Sequence, residues 1–253
     1  VTVRVAVTGA TGRMGGEVLA AAADRDDVDV VLAVSRSAGE TVEGVAVEAA
    51  DDLPELLAER DPDVLVDFTG PESCVEYAAA CAEAGVAVVS GTTGLGDDGF
   101  DALRNVAADV PVLYASNFSR GIAALRRAVR EAVPALDGYD IELTETHHNA
   151  KRDAPSGTAL TILEDIDDVR GAAERVHGRE GEAPRSEGEV GVHARRAGDI
   201  AGEHEVLLAG NHESLSLTHR AGSRGVFAAG ALDAAAWLSG RDAEWYDFTE
   251  VLE

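Results

Sequence analysis

"VAVTGATGRMGGEVLA", residues 5–20, decides the fold of this 253-residue chain. It reads as an apolar strand, a turn carrying Gly9, Gly12 and Gly15, and the start of a helix. Glycines at that spacing let the backbone come close to a pyrophosphate. The helix N-terminus offers unpaired N–H groups and the positive end of a dipole. Arg13 adds a cation at the same place. The same spacing also suits a tight turn in a parallel sheet, so the flanking strand and helix supply the argument.

Outward from that turn the first half alternates. "DVVLAVS" (29–35), "DVLVDFT" (63–69), "VAVVSG" (86–91) and "VPVLYASN" (110–117) are continuous apolar strands. "DDLPELLAER" (51–60), "PESCVEYAAACAEAG" (71–85) and "DDGFDALRNVAAD" (97–109) are helices between them. Apolar strands alternating with helices imply a parallel sheet covered on both faces, and right-handed crossovers make it doubly wound. The second half changes character. A helix over 119–133 precedes the half-buried strand "YDIELTETH" (139–147), a helix starts at Pro155, and residues 170–190 read mostly as loop. Three strands follow, "VGVHARR" (190–196), "EHEVLLAG" (203–210) and "ESLSLTHRA" (213–221), then a helix over 223–240. The expected fold class is α/β: a Rossmann-type doubly wound parallel sheet plus a second α+β domain with a mixed or antiparallel sheet. The expected domains are 1–117 with about 223–253 for a dinucleotide, and 118–222 for substrate and oligomerisation.

A dinucleotide site commonly carries an acid at the end of its second strand, on the ribose 2′-hydroxyl. Here Ser35 stands there and Arg36 follows. A hydroxyl with a guanidinium suits a 2′-phosphate, which favours NADPH while leaving NADH usable. The loops "VVSGTTGLG" (88–96) and "LYASNFSRG" (113–121) end the next sheet strands. Ligands bind outside the carboxyl ends of such strands, so both loops are candidates to lie against a nicotinamide ring.

The formal net charge is −26, with 21 Lys plus Arg against 47 Asp plus Glu. Such a field repels phosphate, which excludes a general nucleic-acid or anionic-membrane binder. No apolar run approaches a bilayer's thickness, and no leader is legible, so a cytoplasmic location is expected. A dispersed acidic surface that uses Arg almost to the exclusion of Lys is expected of a protein working in concentrated salt. Cys74 and Cys81 fall two turns apart on one helix, about 10 Å, too far for a disulfide. Both are expected to be buried, and no zinc spacing is present.

The chain holds a single lysine, Lys151, inside "ETHHNAKRDAPSGTA" (145–159). His147 and His148 precede it, and Ser156, Gly157 and Thr158 open the next helix, where N–H groups can receive a carboxylate. An ammonium can give up a proton; a guanidinium stays charged. Proton chemistry on an anionic ligand is one reading. A metal site, or histidines packed in a loop, are the others.

On "VAVTGATGRMG", "VDFT", "GTTG", "ASNFS", "HHNAKRDAPSGTA", "RAGDIAGEH" and "ALDAAAWLSG" the chain resembles the 4-hydroxy-tetrahydrodipicolinate (dihydrodipicolinate) reductase family. The resemblance runs nearly end to end, and the His-His-x-x-Lys run with D-A-P-S-G-T-A is its most specific part. It implies reduction of a cyclic dicarboxylate in the diaminopimelate route to lysine, and a homotetramer joined through the second domain's sheets. By the same resemblance His147 is the acid/base residue and Lys151 the proton donor, with His148, Gly157 and Thr158 on substrate. Gly9, Ala10, Thr11, Gly12, Arg13, Met14, Arg36, Gly91, Thr92, Thr93, Ala115, Ser116, Asn117 and Phe118 are the implied cofactor contacts, with no metal. The chain departs from the pattern at Ser35, where some members have an acid, at Asn149-Ala150 and at Arg120. Two rival classes remain at this stage: another Rossmann-type dehydrogenase acting on an amino acid, and a non-catalytic nucleotide-sensing protein. The latter would need a DNA- or partner-binding module, and none is legible.

Overall fold

Residues 2–252 are described by a computed structural model. In chain order the elements are β1 (Val3–Thr8), α1 (Arg13–Ala23), β2 (Val28–Ser35), β3 (Thr41–Val42), β4 (Val45–Ala49), α2 (Leu53–Arg60), β5 (Val64–Asp67), α3 (Pro71–Ala84), β6 (Ala87–Ser90), α4 (Gly96–Val106) and β7 (Val112–Tyr114). There follow α5 (Arg120–Ala135), β8 (Asp140–His147), α6 (Gly157–Arg170), β9 (Arg175–His177), β10 (Val190–Arg196), β11 (Gly202–Gly210), β12 (Glu213–Ala221), α7 (Gly225–Leu238) and β13 (Trp245–Asp247). The chain forms two compact units, Val1–Ser119 with Arg224–Glu253, and Arg120–Ser223.

The first unit is built on an eight-stranded sheet in the order β13-β7-β6-β5-β1-β2-β4-β3, parallel except for the β3–β4 pair. This is the expected doubly wound sheet. Its central strands are mostly apolar because helices cover both faces; β5 and β6 are buried at every residue. Leu32, Leu53, Leu65, Cys74, Cys81, Val88, Leu103 and Val112 form one core cluster, so both thiols are buried as expected. Helix α7 packs beside α1 and returns the chain to this unit. The sequence direction reverses between β1 and β5, the crevice where such sheets bind ligands. Two glycines shape the turn there. Gly9 sits at φ +64°, and a Cβ on Gly15 would lie 2.2 Å from the Gly9 carbonyl oxygen.

The second unit has a five-stranded mixed sheet, β12-β11-β8-β10-β9. Strands β8, β10 and β9 run parallel, and β11 is antiparallel to both β8 and β12. Helices α5 and α6 bury Ile122, Leu125, Val129, Ile162 and Ile166 against Ile141, Leu143, Val192, Val206 and Leu208. The buried Asp165 of α6 takes Arg126 at 2.6 Å and Arg130 at 2.7 Å, tying α5 to α6.

Three details differ from the sequence reading. Strand β9 lies inside the stretch expected to be loop; as a three-residue edge strand with one apolar residue, Val176, it carries no periodicity to read. The short β3, β4 and β13 are likewise additional. Helix α6 begins at Gly157, not Pro155, because Ser156 is its N-cap, with extended backbone and a side chain that accepts the Ala159 N–H.

Candidate active site

Within the first unit, Gly9, Thr11, Gly12, Ser35 and Arg36 line one cavity of ≈ 530 Å³ together with Phe68, Thr69, Gly70, Pro71, Glu72, Ser73 and Tyr77. The lining comes from the carboxyl ends of β1, β2 and β5 with the turns that follow them, and from α3, so the crevice at the switch point is a built space. The Ser35 hydroxyl is 2.7 Å from that of Thr11, and Arg36 is exposed beside it. A dinucleotide fits these residues: the turn brings main chain to the cavity wall, and the helix end beyond it offers N–H groups. Other residues implied as cofactor contacts do not line this cavity. Ala10 is buried, and Phe118 is only 1% exposed, packed against Phe68 and Phe248, so its side chain belongs to the core. Thr92 is buried with its hydroxyl on Asp67 at 2.6 Å. Arg13, Met14, Gly91, Thr93, Ala115, Ser116 and Asn117 are outside the cavity lining.

Asp67 was not singled out from the sequence. It is 1% exposed at the end of β5 and accepts hydroxyls from Thr8, Thr69 and Thr92, each at 2.6 Å. One buried carboxylate thus ties the ends of β1 and β5 to the loop after β6. The readable signal is an acid in the otherwise apolar "VLVD" strand.

In the second unit the His-His-Lys segment leaves the end of β8. Pairing of the Ala197 N–H with the His147 carbonyl at 2.9 Å, and of the Asn149 N–H with the Gly198 carbonyl at 3.1 Å, pins its start. The Lys151 N–H then bonds the His148 carbonyl at 3.1 Å, a turn that folds the lysine back toward the histidines. Lys151 Nζ lies 2.9 Å from the Asp153 carboxylate. Burial raises the Asp153 pKa, but the bond from Lys151, with the main-chain N–H groups of Asp153 and Gly157, brings it below the usual value.

His147 Nδ1 is 2.6 Å from Glu145, which is fully buried. Arg196 from β10 grips both oxygens of Glu145 at 2.7 and 2.8 Å. Burial lowers the His147 pKa, and the neighbouring cations Lys151 and Arg196 add to that; Glu145 opposes them without reversing the shift. His147 is therefore neutral at pH 7. Ser156 was expected to offer its N–H to a carboxylate ligand. That N–H is committed to Glu145 at 3.0 Å, and its hydroxyl serves the Ala159 N–H and lies 3.1 Å from His204 Nε2. The Gly157 N–H in turn faces the Asp153 carboxylate, so this acid stands at the helix start where a ligand carboxylate was expected. Among the described residues no three His, Cys, Asp or Glu come together as a metal-ligand set.

Profiles of the dihydrodipicolinate reductase N-terminus and C-terminus match residues 3–118 and 121–252. The chain belongs to the dihydrodipicolinate reductase family. It is 54% identical over 250 residues to the 4-hydroxy-tetrahydrodipicolinate reductase of Haloarcula marismortui, covering 99% of both chains. It is 56% identical over 250 residues to that of Natronomonas pharaonis, covering 98% of this chain and 99% of the relative. The solved dihydrodipicolinate reductase of Paenisporosarcina sp. TG-14, a dipicolinate-bound structure, shares the fold with a TM-score of 0.83 at 24% identity, covering 98% of both chains.

In this dihydrodipicolinate reductase family member, residues that sequence reasoning gave no role complete the second unit's cluster: Glu145, Asp153, Arg196, Gly202 and His204. Arg196, Gly202 and His204 fall in "RAGDIAGEH", quoted for its resemblance alone, and Glu145 and Asp153 flank the His-His-Lys run. His204 is 3% exposed, and burial beside His147 pushes its pKa down to about 4. The folded state therefore refuses a proton that the unfolded state takes below its ordinary value of about 6.5. Stability is fully present above that value and falls as the pH drops toward about 4, by about 2 kcal/mol between pH 7 and 5. Denaturant unfolding at both pH values should show this loss, and His204→Gln should remove most of it. An equal pH dependence in the variant would reject the assignment.

Proposed function

We propose that this chain reduces 4-hydroxy-tetrahydrodipicolinate to tetrahydrodipicolinate with a nicotinamide cofactor, in the diaminopimelate route to lysine. The observation that carries the reading is the second unit's arrangement of a buried Glu145–His147 pair, Lys151 and the N-terminus of α6 on one short stretch of a chain that belongs to this family throughout.

The cofactor, when bound, supplies hydride. The chain's residues handle a dianion and a proton. One substrate carboxylate takes the place of Asp153 at the Gly157 N–H, at the start of α6, where the helix dipole favours negative charge. The other lies near His148 and Lys151. A substrate carboxylate competes with Asp153 for Lys151, so the ammonium exchanges one anionic partner for another without becoming desolvated and unpaired. Neutral His147, with Nδ1 toward Glu145, offers an acceptor at Nε2. The proton that accompanies hydride then comes from the Lys151 ammonium, while His147 orients substrate; on reset His147 takes a proton from solvent at Nε2 and passes it to the neutral Lys151 amine, which restores the ammonium. Local positive groups matter here because a chain of net charge −26 repels a dianion at long range. The test is a coupled assay with freshly generated substrate, following loss of reduced-nicotinamide absorbance. An absence of turnover with either cofactor would refute the function.

NADPH is the preferred cofactor in this reading, with NADH still used. Arg36 pairs with the 2′-phosphate and Ser35 offers no repelling acid. A charge-assisted contact contributes about 1.5–3 kcal/mol, but Arg36 is exposed, so the preference is nearer one decade in kcat/KM. Arg36→Ala should weaken NADPH by about that decade and leave NADH almost unchanged. Equal losses for both cofactors, measured at one fixed salt concentration, would show that Arg36 does not read the phosphate. The proposed assembly is a homotetramer joined through the second unit's sheet; β12 is an edge strand, and Leu215 on it is exposed. Light scattering should return four times the 26.2 kDa chain mass. A monomer would overturn that part.

A further inference from the structure

We infer that Glu145 is a positioning residue for the reaction: it fixes the His147 imidazole as the Nδ1–H tautomer and couples that ring to the N-terminus of α6. The inference deepens the proposed function and rests on it.

The argument starts from strand periodicity. Glu145 and His147 are two apart on β8, so their side chains leave the same face of the strand. Sheet register then supplies partners from far along the chain. Arg196 of β10 is opposite His147, and His204 of β11 is opposite Glu145. The carboxylate accepts four hydrogen bonds. Oε2 takes Arg196 at 2.8 Å and His147 Nδ1 at 2.6 Å. Oε1 takes Arg196 at 2.7 Å and the Ser156 N–H at 3.0 Å. A two-pronged guanidinium keeps the carboxyl ionised, and an ionised carboxyl is an acceptor only. Nδ1 must therefore carry the proton on this bond, and the neutral ring has its lone pair at Nε2.

Nε2 points past the main chain of Gly202, where a Cβ would come within 3.1 Å of it. The acceptor atom is thus placed beside a residue that adds no bulk. The second bond from Glu145 Oε1 reaches Ser156, the N-cap of α6. One rigid anion sets both the direction of the proton-handling nitrogen and the position of the helix end proposed to receive a carboxylate. When Nε2 takes up a proton, the same anion stabilises the imidazolium that forms. A carboxylate kept only to neutralise Arg196 would need neither the His147 bond nor the Ser156 bond.

The test begins with the wild-type protein. The ¹⁵N resonances of the His147 ring, assigned by their loss in His147→Gln, are expected to show a protonated Nδ1 and an unprotonated Nε2 at neutral pH. A ring protonated at Nε2 instead overturns the proposal, whatever the variants do. Glu145→Gln is expected to lower kcat by about 10- to 100-fold, with KM for the nicotinamide cofactor unchanged within about twofold. The acidic limb of its kcat/KM profile should move to lower pH, because the carboxylate that holds the imidazole pKa up is gone. Glu145→Gln with Arg196→Gln restores charge balance; its kcat is expected to stay as low as that of the single variant. Recovery to wild-type turnover in the double variant would mean that Glu145 only neutralises Arg196, which overturns the proposal. Wild-type turnover and pH profile in Glu145→Gln, with His147→Gln impaired, would do the same while leaving the functional reading intact. Full activity in His147→Gln would bring down the functional reading and the proposal together.

Discussion

Lys151→Ala is expected to lower kcat by about 10²- to 10³-fold, the scale of a lost general acid, while KM for the nicotinamide cofactor stays near the wild-type value. Its Nζ is the one ammonium among the chain's side chains, 2.9 Å from Asp153 and folded back beside the histidine pair. The residues proposed to hold the cofactor belong to the other compact unit, so cofactor affinity is expected to survive. Folding should survive too. Asp153 is exposed, and an exposed ion pair contributes about 0–1 kcal/mol. Lys151→Arg separates charge from proton transfer. It should recover substrate KM better than kcat, because a guanidinium binds a carboxylate but does not release its proton. Steady-state kinetics of the three proteins check this. Near-wild-type turnover in Lys151→Ala would remove lysine from the chemistry and return that role to His147.

Transfer from molar salt to dilute buffer is expected to unfold or dissociate the protein. The chain carries 47 acidic against 21 basic side chains. A few acids, among them Asp67, Glu145, Asp165 and Glu189, are buried with partners; most of the rest lie at the surface and repel one another. Molar salt shortens the Debye length to roughly 3 Å and removes most of that repulsion. Screening also weakens exposed ion pairs such as Arg104–Asp101, but these contribute little to begin with. If the net relief is about 5 kcal/mol, comparable with a domain's whole stability, Tm should climb by about 10–20 °C between dilute and molar KCl. Thermal unfolding across a salt series, with light scattering alongside, measures both effects. A Tm independent of salt would refute the expectation.

How much of the site was legible depended on sequence distance. The glycine turn and the His-His-x-x-Lys segment are local: residues a few positions apart stay close whatever the rest of the chain does. The end of β2 was legible for the same reason, and Ser35 and Arg36 do line the cavity with Gly9 and Gly12. The partners of Glu145 were not. Arg196 is 51 residues away, and the Ser156–His204 contact spans 48. Nor could the spacing of Ser156 from Gly157 reveal that the first amide is committed to the buried Glu145 while the next faces the exposed Asp153.

The sequence by itself determined the doubly wound sheet, the mixed second sheet, the burial of both cysteines and the closeness of His147, His148 and Lys151. Continuous apolar strands, turn glycines and short-range motifs express those features within a few residues. Only the tertiary structure decided which groups hold the His147 ring, which of the implied cofactor residues are buried, and why Asp67 is tolerated in a mostly apolar strand. Those outcomes depend on strand register and on which faces meet, and a shift of one residue along β8 would turn Glu145 and His147 to the opposite side of the sheet. Composition and periodicity do not specify that register; packing of the whole unit does.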